Sequence, residues 1–333
     1  VNAKWKQEHP RRPEYGCRSE CKMETKTTSS PQVAASFILS GSLAAFPTET
    51  VYGLGANAFD DAAVKKIFKA KGRPKGNPLI VHIHSKIQIK KIASKITPAA
   101  KKIISKFFPG PISIVLPKTK LIPSSVTANL STVCIRMPSL KIAQSFLRAC
   151  KVPVAAPSAN LSGSPSPTTW RHVLHDLGGK IPVILKGPPA KHGLESTVID
   201  CTKKIPVLLR AGSLPLEKIE SIVGHVEVAR GAKIALSPGM KYRHYAPKAK
   251  VIIVASALSI PKNARSFAYI GSGRTIGEVA HFRPKDDSDY AKNLFSFFRK
   301  CDSLGVKAIY AQKVGAKGIG RAIMERLRKA AKG

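Results

Sequence analysis

Short apolar runs alternate with polar breaks along most of this chain. The runs at 42–46, 79–83, 111–116, 132–136, 152–155, 181–185, 196–200 and 205–209 predict strands. Helical patterns lie between many of them. Ser29-Ser30-Pro31 predicts a capped helix to about Leu39. Asp60 or Asp61 caps a helix over Ala62 to Lys71, with Val64, Ile67 and Phe68 as its apolar stripe. Thr97-Pro98 opens another to Phe108, and Leu140 to Lys151 and Thr168 to Leu177 predict two more. This order predicts an α/β fold around a large twisted mixed sheet with flanking helices. Residues 1–30 show no periodicity and read as a disordered extension. The pattern stops again at 231–249, then resumes with strands at 250–255, 266–270 and 307–311 and helices near 288–303 and 318–331. The expected organisation is therefore an extension (1–30), a main domain (31–230), a linker (231–249) and a smaller α/β domain (250–333).

No apolar run approaches the ~20 residues that span a bilayer, and the first thirty residues lack the apolar core of a secretory signal. These features predict a soluble protein of the cytoplasm, with no membrane partner. Charge changes the picture more. Lysine and arginine number 56 against 19 acidic residues, a net +37. The excess is 31 against 9 within 31–247, so it belongs to the folded body and not to a tail. Such a surface attracts polyanions, although a lysine-rich bias without an RNA role explains the number equally well. Aromatic residues are only 6%, which argues against a base-stacking platform. Of six cysteines, Cys134, Cys150 and Cys201 lie in or beside apolar runs and read as buried thiols. Cys17-x3-Cys21, with His9 nearby, lacks a second paired half, so neither a zinc site nor a disulfide framework is called for.

Candidate chemistry gathers in loops after strands. Phe46-Pro-Thr48-Glu-Thr50-Val-Tyr-Gly-Leu-Gly55 packs hydroxyls and glycines into a turn that a ligand can approach closely. Lys69-Ala-Lys71-Gly-Arg73-Pro-Lys75-Gly-Asn77-Pro follows a helix end, where cations either complement the helix dipole or clamp phosphate. Ser158-Ala-Asn160 follows a small-residue strand end and leads into Ser162-Gly-Ser164-Pro-Ser166, either a plain Ser/Asx turn or a set of anion donors. Arg136 and Arg210 stand at strand ends, where α/β sheets hold ligands; each alone reads as a surface charge. His82 sits in a strand, Glu195-Ser196-Thr197 opens another, and Tyr242, Arg243, His244 and Tyr245 fill the linker. There is no phosphate-binding P-loop and no dinucleotide glycine fingerprint. Acidic residues are too few for a multi-carboxylate metal site. The residues predict a cationic and neutral-polar pocket that binds a phosphate-bearing substrate and works by positioning and charge stabilisation.

Together these motifs resemble the YrdC-like threonylcarbamoyl-AMP synthase family, in its long form with a linker and C-terminal domain. The resemblance covers roughly 31–333. It rests on Pro47-Thr-Glu-Thr50-Val-Tyr-Gly-Leu, the Lys71-x-Arg73 and Ser158-x-Asn160 pairs, Ser196-Thr-Val-Ile-Asp200, Arg210-Ala-Gly, Ser237-Pro-Gly-Met with His244-Tyr245-Ala-Pro, and Gly318-Ile-Gly320-x-Ala322-Ile-x-x-Arg326-Leu. It implies a nucleotidyltransferase that makes L-threonylcarbamoyladenylate, pyrophosphate and water from L-threonine, bicarbonate and ATP. The product serves a separate transferase complex that modifies ANN-decoding tRNAs. It further implies a YrdC-like main domain with a Rossmann-like C-terminal one. Lys71, Arg73, Ser158 and Asn160 would be catalytic. Thr50, His82, Arg136, Ala156 and Ser196 would line the threonine site. Arg73, Asn77, Thr132, Ser158, Ser166, Arg210 and Tyr245 would hold ATP, with Tyr245 and His244 reaching back from the linker. Mg2+ would be held mainly by ATP phosphates, with no protein metal ligand assigned.

Two other readings stand beside this one. A non-enzymatic protein of the same fold would hold tRNA or double-stranded RNA on its basic surface; charge favours it equally, but a threonine-sized polar niche does not follow from it. Carbamoyl transfer in hydrogenase maturation predicts fused acylphosphatase or zinc-finger segments, and the sequence has none.

Overall fold

The computed structural model describes residues 23–74, 76–229 and 245–332. In chain order its elements are β1 (Lys26–Thr28), α1 (Pro31–Leu39), β2 (Ala44–Phe46), β3 (Gly53–Asn57), α2 (Asp61–Lys71), β4 (Ile80–His82), α3 (Ile89–Ile92), α4 (Pro98–Phe107), β5 (Ile112–Pro117), α5 (Ser124–Thr127), β6 (Thr132–Arg136), α6 (Lys141–Ala149), β7 (Val154–Ala156), α7 (Trp170–Leu177), β8 (Val183–Leu185), β9 (Thr197–Asp200), β10 (Val207–Arg210), α8 (Leu216–Val223) and β11 (Glu227–Val228). The second part comprises β12 (Lys250–Val254), β13 (Phe267–Ile270), β14 (Glu278–Phe282), α9 (Asp287–Ser303), β15 (Ala308–Gln312) and α10 (Gly320–Ala331).

The first part forms one mixed eleven-stranded sheet, ordered β1-β8-β2-β3-β7-β4-β6-β5-β9-β10-β11. Side chains alternate across it, as strand geometry requires. Ala44 and Phe46 of β2, Val154 and Ala156 of β7, and Val183 and Leu185 of β8 face a core shared with α1 and α6. Their neighbours Ala45, Ala155 and Ile184 face the larger core on the other side. Covering both faces explains why these strands read as continuous apolar runs. The second part is a four-stranded parallel sheet, ordered β12-β15-β13-β14. The predicted α/β class, the large mixed sheet and the smaller α/β unit are all present.

The helix starts follow capping chemistry. The Ser30 side chain accepts from Val33 N, Asp60 from Ala63 N, and Thr97 from Ala100 N. At the other end of α2, Gly72 takes φ +59 and turns the chain sharply, so that Lys71 and Arg73 leave the helix in different directions.

One expectation is corrected. Lys26–Thr28, within the stretch read as a disordered extension, forms strand β1, paired in parallel with β8. The Thr25 hydroxyl also donates to Ile181 O at 2.6 Å. Three residues are too few to show a period, so the sequence carried no strand signal there. Residues 1–22, including Cys17 and Cys21, lie outside the described residues, as do Lys75 and 230–244 with His244. The four described cysteines are free and buried. Among the described residues no helix is long and apolar enough to cross a membrane.

Candidate active site

A cleft opens over the central strands. It collects Arg73, His82, Arg136, Ala156, Ser158, Ser196, Arg210 and Tyr245, eight of the residues singled out from the sequence. Register explains the meeting. β4 and β6 run parallel with His82 opposite Arg136, and β7 runs antiparallel to β4 with Ala156 opposite Ile80. Arg210 ends β10 opposite Val198 of β9, close to Ser196.

The Pro47–Tyr52 turn is tied by Thr48. Its hydroxyl accepts from Thr50 N (3.2 Å) and Val51 N (3.3 Å) and donates to Val51 O (2.6 Å). This presents Thr50 and Glu49 to Arg136, whose Nη1 donates to Thr50 Oγ1 and Nη2 to Glu49 Oε1, both at 2.7 Å. Thr50 thus reaches the cleft through Arg136. His82 is buried, and its Nδ1 lies 3.1 Å from Ile80 O. Burial, then the Arg136 charge, push its pKa down to about 3, so the ring is neutral at physiological pH.

Arg73 Nη2 donates to the carbonyls of Asn77 and Pro78 at 3.2 and 3.1 Å. Asn77 therefore holds Arg73 through its backbone. Lys71 is fully turned inward: its ammonium donates to Ser158 O at 2.5 Å and to Asn160 O. Burial and the neighbouring Arg73 hold its pKa well below the usual lysine range. Asn160 completes the bracket, accepting from the Ser158 hydroxyl at 2.5 Å and donating to Leu161 O and Ser164 O. Lys71 and Asn160 stand behind the wall, and Arg73 and Ser158 line it.

On the opposite wall Arg210 donates to Ser196 O from Nε (3.1 Å) and Nη2 (2.9 Å), and the Ser196 hydroxyl lies 2.7 Å from that of Ser113. The Ser166 hydroxyl donates to Glu195 Oε1 at 2.5 Å. Tyr245, in the left-handed region at φ +67, stacks on Phe295 at 5.4 Å. Burial, then Glu195, raise its pKa to about 12. Thr132 is set apart from the lining. It starts β6 four residues before Arg136, about 13 Å away along the strand.

Comparison with known proteins shows the family. A family model described as telomere recombination, Sua5_yciO_yrdC, matches residues 36–212. A second, described as threonylcarbamoyl-AMP synthase, C-terminal domain, matches 214–332. The threonylcarbamoyl-AMP synthase of Pyrococcus abyssi is 45% identical over 316 residues, 90% of this chain and 93% of that one. The chain belongs to the Sua5/YrdC family of threonylcarbamoyl-AMP synthases. Its Bacillus subtilis relative is 41% identical over 92% of this chain and 95% of its own. The crystal structure of P. abyssi Sua5 complexed with L-threonine superposes with a TM-score of 0.86 at 43% identity, covering 93% of this chain and 97% of that chain.

In the sequence of this Sua5/YrdC chain, Glu195 and Arg326 stand out only as parts of motifs. The structure places Glu195 in the cleft lining and Arg326 against it. Arg326, fully buried in α10, donates from Nε to Glu195 Oε2 at 3.0 Å. The pocket was expected to be cationic and neutral-polar. It holds Glu195 as well, but the paired arginine offsets that charge. Glu49, behind the lining, is neutralised by Arg136 in the same way.

Proposed function

We propose that this cleft joins L-threonine, bicarbonate and ATP into L-threonylcarbamoyladenylate, releasing pyrophosphate and water. The observation that carries the reading is the convergence of Arg73, Arg136 and Arg210 with His82, Ser158 and Ser196 on one cleft. Three cations and small hydroxyls suit an amino acid laid against a nucleotide's innermost phosphate.

In this reading the threonine carboxylate takes the Arg136 edge beside Thr50, with Ala156 leaving room and Ser196 closing the niche. Neutral His82 adds a ring wall without another positive charge. The threonine amine captures carbon dioxide or bicarbonate as a carbamate. A carbamate oxygen then attacks the α-phosphorus in line, and the bond to the pyrophosphate oxygen breaks. Arg73, Arg210 and the Ser158 hydroxyl stabilise charge building on the phosphate oxygens. Lys71, Asn160, Asn77 and Ser166 act one step back, fixing Ser158, Arg73 and Glu195. Residues 132, 134 and 136 share a strand face, so a nucleotide extending along β6 from Arg136 would bring its base toward Thr132. Tyr245 covers the site and excludes water that would hydrolyse the mixed anhydride.

Among the described residues no cluster of histidine, cysteine and carboxylate side chains could hold a metal ion, and Glu195 is committed to Arg326 and Ser166. The described residues therefore build no site for Mg2+, and the ion would arrive on the triphosphate. The product would pass to a tRNA-modifying transferase complex, and the net +37 charge suits an encounter with tRNA.

Pyrophosphate release from ATP tests the reading. It should require both threonine and bicarbonate and fall sharply in Arg73→Ala or Ser158→Ala. Equal release with serine, or release without bicarbonate, would count against it.

A further inference from the structure

A cleft that accepts a triphosphate should not present a bare carboxylate, yet Glu195 is one of its lining residues. Both carboxylate oxygens are occupied. Ser166 donates to Oε1, and Arg326 to Oε2. Arg326 belongs to α10, the last helix of the second domain, far from Glu195 in sequence. It is fully buried, donates from Nη1 to Ala211 O at 2.9 Å, and sets its guanidinium 5.2 Å from the Tyr245 ring centroid. Its neighbour Glu325 accepts from Ala211 N at 3.0 Å, so the helix grips the same turn twice. One side chain therefore contacts two residues of the cleft wall, and it comes from the other domain. Burial pushes the Glu195 pKa up, but Arg326 and Arg210 together bring it below the usual range, so the carboxylate stays ionised and paired.

We propose that Arg326 is a positioning residue for the nucleotide: it neutralises Glu195 and backs the face of Tyr245, so the C-terminal domain completes the ATP site. Without it, Glu195 would turn a buried charge, offset only in part by Arg210, toward the phosphates or take up a proton. The inference rests on the synthase reading for its ligand, ATP.

The test measures ATP affinity by calorimetry on the full chain, alongside the KM for ATP in pyrophosphate release. Arg326→Met should weaken ATP binding by about tenfold to a hundredfold, while the KM for threonine moves much less. The weakening should shrink as pH falls and Glu195 protonates. Glu195→Gln placed in the Arg326→Met background should recover most of the loss, because Gln still accepts from Ser166 and carries no charge. If Arg326→Met does not fold, this near-isosteric double variant, compared with Arg326→Lys and the wild type, carries the same comparison. Wild-type ATP affinity in Arg326→Met, or a folded double variant as weak as the single one, would overturn the proposal. Calorimetry is independent of turnover, so a wild type that binds ATP but makes no adenylate would fail the synthase reading alone.

Discussion

Arg136 Nη2 sits 2.7 Å from Glu49 Oε1, with 4% of either side chain exposed. The pair joins the turn after β2 to the end of β6, two segments far apart in sequence. A buried ion pair is costly to break from one side, because the remaining charge stays desolvated. Arg136→Ala and Glu49→Ala should each lower stability by about 3–5 kcal/mol. The double variant should lose clearly less than the two losses added. A urea-denaturation cycle over the four proteins checks this; additive losses would mean the two groups do not act as a pair. Arg136→Lys should keep the charge but raise the KM for threonine, because an ammonium cannot serve Thr50, Glu49 and a carboxylate as a fork does.

His82 links stability to pH. Its folded pKa of about 3 lies below the ordinary histidine value of about 6.5. Between those values the unfolded chain binds the extra proton. The contribution is therefore complete above about pH 6.5 and is lost, at about 1.4 kcal/mol per pH unit, as pH falls toward the folded value. His82→Asn should flatten the fall in stability between pH 6.5 and 4.5 by one proton's worth. His172, held down to about 4 by burial and by Arg299, supplies a second slope of the same sign, so some dependence should remain. Denaturation midpoints across that range decide it; an unchanged slope in the variant would remove His82 from the account.

The sequence made most of this architecture legible because the strands are buried on both faces and announce themselves as apolar runs. What escaped it has physical reasons. β3, Gly53–Asn57, carries two glycines and no β-branched residue. Its glycines are there for packing: a Cβ on Gly55 would stand 2.7 Å from Val154 Cγ1 and 3.2 Å from the Phe46 ring. β14 is an edge strand with only Ala280 buried, so its pattern is faint. At the site, the cations and hydroxyls could be named, but not which of them line the cleft. Lys71 and Arg73 look alike as a basic pair, and only the turn at Gly72 separates the one that braces from the one that lines. Arg326 could not be assigned to the cleft, since nothing local links α10 to Glu195.

The bracket role of Lys71 is open to direct test. Its ammonium converges on two carbonyls of the Ser158–Asn160 loop. Lys71→Met should strand both acceptors, cost about 2–3 kcal/mol of stability, and lower the rate by about 100-fold through displacement of Ser158. Lys71→Arg should be nearly as inactive, since a planar fork cannot replace a compact ammonium between those carbonyls. Urea denaturation and pyrophosphate release on the two variants check this. An active Lys71→Arg enzyme would show that charge, not the bracket, is what matters.

The second contact between the domains predicts a different outcome from the first. Arg299 of α9 grips Asp176 of α7 with both nitrogens, at 2.9 and 2.7 Å, and also donates to Pro165 O. Beside it the Thr168 and Ser296 hydroxyls lie 2.8 Å apart. Burial raises the Asp176 pKa, but the Arg299 hydrogen bonds outweigh it and the net shift is downward. The clamp is therefore intact above the ordinary carboxylate value of about 3.9 and is lost only as pH falls below it. Arg299→Ala should destabilise the protein by about 3–5 kcal/mol, because it leaves Asp176 buried without its guanidinium, with the exposed His175 ring 3.0 Å away as a weaker partner. Its effect on ATP should be indirect, carried through Ser166, which lies next to Pro165 and donates to Glu195. The expected result is a large drop in denaturation midpoint with a rise in the KM for ATP smaller than that of Arg326→Met. A KM effect equal to that of Arg326→Met would mean that domain docking as a whole, and not the charge on Glu195, governs nucleotide binding.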